Sequence, residues 1–314
     1  MTNNQIIAVW GSANSGKTIT TMKLAKELSK RKKNVIVVMC DLSSPALMTV
    51  LPNQGIGDKT LGNILSAPQI TQETILSQCI TLKKNEYLTF IGYKQGDNIF
   101  SYAEYDRERA VDFLILLRHL ADYIIVDCTS NIETNILSAT ALEMADVVLR
   151  HITCDLKSIS FYESHLPLIS HRRFKANDHI KILSNIKDYE AKSPVIQRFR
   201  GVKYHLPHRQ EIEEQFLSGI LLESLVSKKS KQYNDTISKI VEAIISTDSE
   251  ATSLNNEKKS SEILQSIKDS IISFIDKFKS TMDKEKVSMD RKANKLSFKD
   301  KLFKILKKEN GGIQ

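Results

Sequence analysis

The chain has 314 residues, enough for one large or two ordinary domains, and its 41% hydrophobic and 26% charged residues exclude wholesale disorder. Its formal charge of +8 is modest and gathers toward the C-terminus, and no apolar run reaches the roughly 18 residues of a membrane-spanning helix. The 4 cysteines (Cys40, Cys79, Cys128, Cys154) are too dispersed for a C-x-x-C pair and read as reduced thiols of a cytosolic chain.

The first predicted element is a strand over 6–10, followed directly by G-S-A-N-S-G-K-T at 11–18 and a helix over 17–30. Strand, glycine-rich turn and helix in that order are the setting of a Walker A phosphate loop. Only 11 glycines occur in the whole chain, and two of them, Gly11 and Gly16, shape this turn. Backbone N–H groups of Ser12, Ala13, Asn14, Ser15, Gly16 and Lys17 are expected to converge on phosphate oxygens at the positive end of the helix. Lys17 would reach the β- and γ-phosphates, and the Thr18 hydroxyl would ligate Mg²⁺.

Further along, continuous β-branched runs at 35–40, 87–91, 123–127, 147–152, 180–183 and 202–205 alternate with helical segments at 105–120, 133–144 and 156–170. Continuous apolar runs suit strands buried on both faces, and their alternation with helices predicts an α/β fold: a doubly wound, mostly parallel sheet of the P-loop NTPase kind with a helical C-terminal tail. Two of the runs end in aspartate. Asp127 is placed to hold the metal as a Walker B carboxylate, and Asp41 to orient an attacking water. The histidines lack metal-site spacing, and the ring-rich stretch around Tyr93, Phe100, Tyr102 and Tyr105 marks a loop that is either a partner surface or core.

From V-W-G-S-A-N-S-G-K-T through V-V-M-C-D-L-S-S-P, D-Y-I-I-V-D-C-T-S and K-I-L-S-N-I to H-L-P-H-R-Q-E, the sequence resembles the MinD/ParA family of P-loop ATPases over roughly residues 5–225. The piece L-T-F-I-G-Y-K-Q-G-D-N-I-F-S-Y is similar to the TadZ/CpaE subgroup, although the receiver-like domain of those proteins does not precede the loop here. The resemblance implies ATP and Mg²⁺ as cofactors, with Gly11 to Thr18 around the phosphates. It places Asn185 against adenine and Pro207 at the base pocket. Ser12 stands where relatives usually carry a signature lysine, and Ile19 where they carry an α-phosphate hydroxyl. The D-x-D pattern has become Asp41-x-Ser43, and Cys128-Thr129 follow the Walker B strand.

A last predicted sheet-domain helix carries Tyr233, Ile237, Ile240 and Ile244, and the nucleotide-binding domain is expected to span 1–245. A polar linker follows at 246–261, then a basic tail at 262–314. Within it, residues 263–282 carry an apolar stripe at spacings of three and four. Phe298, Leu302, Ile305 and Leu306 form an apolar face among Lys and Arg, opposed between 291 and 308 only by Asp300. That pattern fits a helix lying on an anionic membrane, resembling the tails of MinD proteins, or else a charged helix that packs on its own sheet domain or on a partner protein. The resulting expectation is a cytoplasmic, weakly hydrolysing ATP-binding switch. It would form a homodimer and position an unidentified protein partner or apparatus at the inner face of the membrane. The alternatives are a non-hydrolysing TadZ-like scaffold for a pilus or secretion system, and a DNA-partition ATPase whose basic surface binds nucleic acid.

Overall fold

A computed structural model of the chain describes residues 4–52 and 54–254, with side chains described to Ser246. Eight strands form one sheet: β1 (Gln5–Gly11), β2 (Val35–Met39), β3 (Ile80–Leu82), β4 (Asn85–Gly92), β5 (Tyr123–Asp127), β6 (Val147–Ile152), β7 (Ile180–Ile186) and β8 (Val202–Pro207). Their order across the sheet is β3-β4-β2-β5-β1-β6-β7-β8, and all neighbours are parallel except β3 and β4. The doubly wound α/β sheet expected from the strand–helix alternation is therefore present. The antiparallel β3 at its edge was not anticipated, because three residues carry too short a pattern to be read as a strand.

Ten α-helices are described: α1 (Lys17–Lys30), α2 (Leu47–Val50), α3 (Leu61–Leu65), α4 (Gln72–Gln78), α5 (Arg107–Arg118), α6 (Ile136–Met144), α7 (Leu156–Ile169), α8 (Ser193–Phe199), α9 (Gln210–Leu217) and α10 (Lys231–Leu254). Every residue of β1 is buried, and its side chains divide by the two-residue period of a strand. Ile7 and Val9 join one core with Met22, Leu24 and Leu28 of α1 and Ile237, Ile240, Val241 and Ile244 of α10. Ile6, Ala8 and Trp10 join the core on the opposite face with Phe113 and Leu117 of α5 and Leu137 and Ala141 of α6. Two covered faces explain why the strands read as unbroken apolar runs.

The compact unit that contains the sheet ends at Asp248, whereas α10 continues to Leu254. The start of the expected linker is thus helical, since 246–254 contains neither glycine nor proline to stop the helix. The tail stretches 263–282 and 296–306 lie outside the described residues. No described helix is long and apolar enough to cross a membrane.

Candidate functional site

The loop between β1 and α1 is held open by backbone geometry that side chains resist. Gly11 has φ +154°, and a Cβ there would lie 2.0 Å from the carbonyl oxygen of His151 on the neighbouring β6. Asn14 and Gly16 are left-handed, with φ of 57° and 76°. No side chain caps α1, and its first turn holds no acid, so its N–H groups are free to meet an anion. By contrast, Asp106, Asn135 and Asp155 cap α5, α6 and α7.

Beneath the loop the packing is polar and closed. The Ser184 hydroxyl donates to the Ser15 carbonyl at 2.6 Å and lies 3.2 Å from His151 Nδ1. Burial, aided by the charge on Lys17, lowers the His151 pKa to about 3, so its ring is neutral. Ser12 turns inward, its hydroxyl 2.6 Å from that of Ser158 on α7. This bond ties the loop to α7 of its own chain.

Residues predicted from distant parts of the sequence meet outside the carboxyl ends of β1, β2, β5, β7 and β8, the usual place for a ligand on an open α/β sheet. A cleft of about 420 Å³ is lined by Ala13 to Thr20, Asp41, Asp127, Asn185 and Pro207. Of the predicted site residues, only Gly11 and Ser12 are not on its wall. Ile19 lines the cleft and also packs against the core.

The acid end of the cleft is compact. Thr18 donates from its hydroxyl to Asp127 Oδ2 at 2.6 Å, pairing two hard oxygen donors of the kind that suit Mg²⁺. Lys17 Nζ donates to the carbonyls of Gly11 (3.3 Å) and Ser12 (2.9 Å) and to the Ser130 hydroxyl (2.8 Å). Burial lowers the Lys17 pKa against the opposing pull of Asp127. Asp41 accepts backbone N–H bonds from Ser43 and Ser44, both at 2.9 Å, which fixes its carboxylate at the end of β2. Cys40 and Cys128, beside the two acids, are buried thiols with raised pKa, chiefly through desolvation.

At the other end, Asn185 is itself left-handed (φ 53°), at a register break between β7 and β8. Its Oδ1 accepts from His208 Nδ1 at 3.0 Å. Arg209, Ile212, Phe216 and Tyr233 complete this end of the cleft. Sequence reading missed Ser130, His151, Ser184 and His208. Ser130, Ser184 and His208 lie within quoted motifs but were given no role there; His151 stands beside Arg150 in an otherwise apolar strand, a pattern that marks a position but not its partner.

Burial raises the Asp127 pKa from 3.8 to about 6, against the stabilising Thr18 bond and Lys17 charge. A carboxylate whose folded pKa is raised contributes most below pH 4, where it is protonated in both states, and that contribution is lost as pH rises through 6. Asp127→Asn is therefore expected to stabilise the metal-free protein by about 3 kcal/mol at pH 7.5, with most of the gain gone by pH 4. Urea unfolding in chelator at the two pH values checks this; an equal effect at both would contradict it.

Comparison with known proteins bears on the fold. A ParA-family ATPase from Chlorobium tepidum superposes with a TM-score of 0.62 at 19% identity, covering 76% of this chain and 98% of its own. The cell-division ATPase MinD of Pyrococcus furiosus gives 0.60 at 18% identity over 77% and 99%. MinD of Pyrococcus horikoshii, solved with Mg-ADP, gives 0.57 at 18% identity over 76% and 95%. No protein-family model matches the chain, and no curated protein matches its sequence.

Proposed function

We propose that this chain, which has the fold of the MinD and ParA P-loop ATPases, is a Mg²⁺-dependent ATP-binding switch. The observation that carries the reading is the convergence of the uncapped α1 terminus, Lys17, and the Thr18–Asp127 pair in one cleft. In this reading the loop N–H groups and Lys17 bind the β- and γ-phosphates, Thr18 and Asp127 hold Mg²⁺, and the Asn185–Pro207 end takes the base. The metal would neutralise charge on the phosphates. Asp41, fixed by two backbone N–H groups, would accept a hydrogen bond from water at the γ-phosphate.

Isothermal calorimetry with ATP, with and without Mg²⁺, tests the proposal; binding is expected only in the micromolar range or tighter with metal present, and its absence would overturn it. A dimer that forms with ATP would present the basic tail twice and so about double its attraction to anionic lipid in free energy. Co-sedimentation with phosphatidylserine-containing vesicles is expected for the full chain and lost for a chain ending at Ser246. Equal sedimentation of the two would remove the tail from the membrane reading, and parallel binding to DNA would favour the partition reading.

The inward turn of Ser12 favours a second reading on one point, hydrolysis. A residue bonded to Ser158 of its own chain cannot extend a cation to a partner's phosphates. A scaffold that binds ATP without turning it over would show nucleotide affinity with no phosphate release, with or without lipid.

A further inference from the structure

Lys17, Ser130 and Trp10 form a chain of contacts that phosphate binding has to rearrange. An ammonium group has three N–H donors, and all three of Lys17 are committed: to Gly11 O, to Ser12 O and to Ser130 Oγ. The first two partners belong to the phosphate loop itself. Ser130 belongs to another segment, between β5 and α6, just beyond Asp127 at the end of β5.

Ser130 is held from both ends. Its hydroxyl accepts from Lys17, and its carbonyl accepts from the indole Nε1–H of Trp10 at 3.0 Å. Trp10 is the only tryptophan of the chain and is fully buried. Its ring lies 5.6 Å from Phe161 and 5.8 Å from His165, both on α7. The same segment reaches α7 again through Glu133, whose Oε2 is 3.6 Å from His165 Nε2.

A lysine with no free donor meets a phosphate oxygen only by giving up a present partner. Charge-assisted bonds to phosphate are stronger than those to a neutral hydroxyl or carbonyl, so the exchange is favourable. When Lys17 leaves, Ser130 loses its tie to the loop but keeps its tie to Trp10. We propose that Ser130 is a positioning residue: it holds Lys17 in the nucleotide-free site and, on release of Lys17 to a polyphosphate, transmits the occupancy of the loop to Trp10 and α7. The proposal rests on the nucleotide-binding reading above.

The test uses the full chain, titrated with Mg-ATP and followed in parallel by calorimetry and by Trp10 fluorescence. In the wild-type protein the emission is expected to change with the same midpoint as binding. Ser130→Ala, which frees Lys17 from one hydrogen bond to a neutral hydroxyl worth about 1.5 kcal/mol, is expected to bind about ten-fold more tightly while its tryptophan response is lost. Ser130→Thr, which keeps the hydroxyl, is expected to restore both wild-type values. An undiminished tryptophan response in Ser130→Ala, loss of nucleotide binding in that variant, or calorimetric binding with a silent tryptophan in the wild type would each overturn the proposal while leaving the nucleotide site intact. No binding to the wild type would overturn the nucleotide reading itself.

Discussion

Lys17→Ala is expected to weaken Mg-ATP binding by about 100-fold or more. Hydrogen bonds from a charged donor contribute roughly 1.5–3 kcal/mol each, and the loss of about 3 kcal/mol corresponds to two decades of affinity. The lysine is poised for the role by place rather than by reach, since it already lies across the mouth of the loop on the Gly11 and Ser12 carbonyls. Lys17→Arg should recover little, because a planar guanidinium does not match the compact ammonium in a turn this tight. Calorimetry on the three proteins decides it. Binding by Lys17→Ala at wild-type strength would remove Lys17 from the phosphate site and with it the assignment of the loop.

The second large effect is on stability. Gly11→Ala is expected to cost about 3 kcal/mol or more, because the new methyl would sit 2.0 Å from His151 O and 2.7 Å from its carbonyl carbon. Both obstacles are backbone of β6, which is paired to β1 over Ile7 to Gly11 and cannot yield without breaking that pairing. The neighbouring Gly16 provides the contrast. A Cβ at Gly16 meets nothing within 4 Å, so Gly16→Ala carries only the cost of a left-handed φ, about 1 kcal/mol. Urea unfolding of both variants should separate them clearly; a cost below about 1 kcal/mol for Gly11→Ala would mean that β1 and β6 are less rigidly paired than the geometry implies.

Much of this was legible along the chain. The strands that carry the site were predicted because burial on both faces leaves no polar alternation, and the turn between β1 and α1 because its backbone demands are met within eight consecutive residues. The places of Asp41 and Asp127 beside strand ends were legible because each closes an apolar run. Other features were not legible, for a common physical reason. Phe100 and Tyr93 come from one ring-rich stretch, yet Phe100 is 90% exposed and Tyr93 is buried. Tyr93 joins the core that holds Ile64 of α3 and Ile91 of β4, and no spacing within the stretch records those partners. The inward bond of Ser12 to Ser158 and the bonds of Ser184 under the loop depend on strands and helices far away in sequence.

By itself the sequence determined the local conditions for chemistry: a loop whose glycines permit its backbone, a helix with an open N-terminus, acids at strand ends, and a tail rich in Lys and Arg. Which groups meet was decided only by the tertiary structure. Lys17 and Ser130 are 113 positions apart, and they touch because strand order places β5 beside β1. The same register sets Asp127 across from Val9 and Met39. Periodicity reports which face of an element is buried, whereas a contact between two elements depends on their order and register in the sheet.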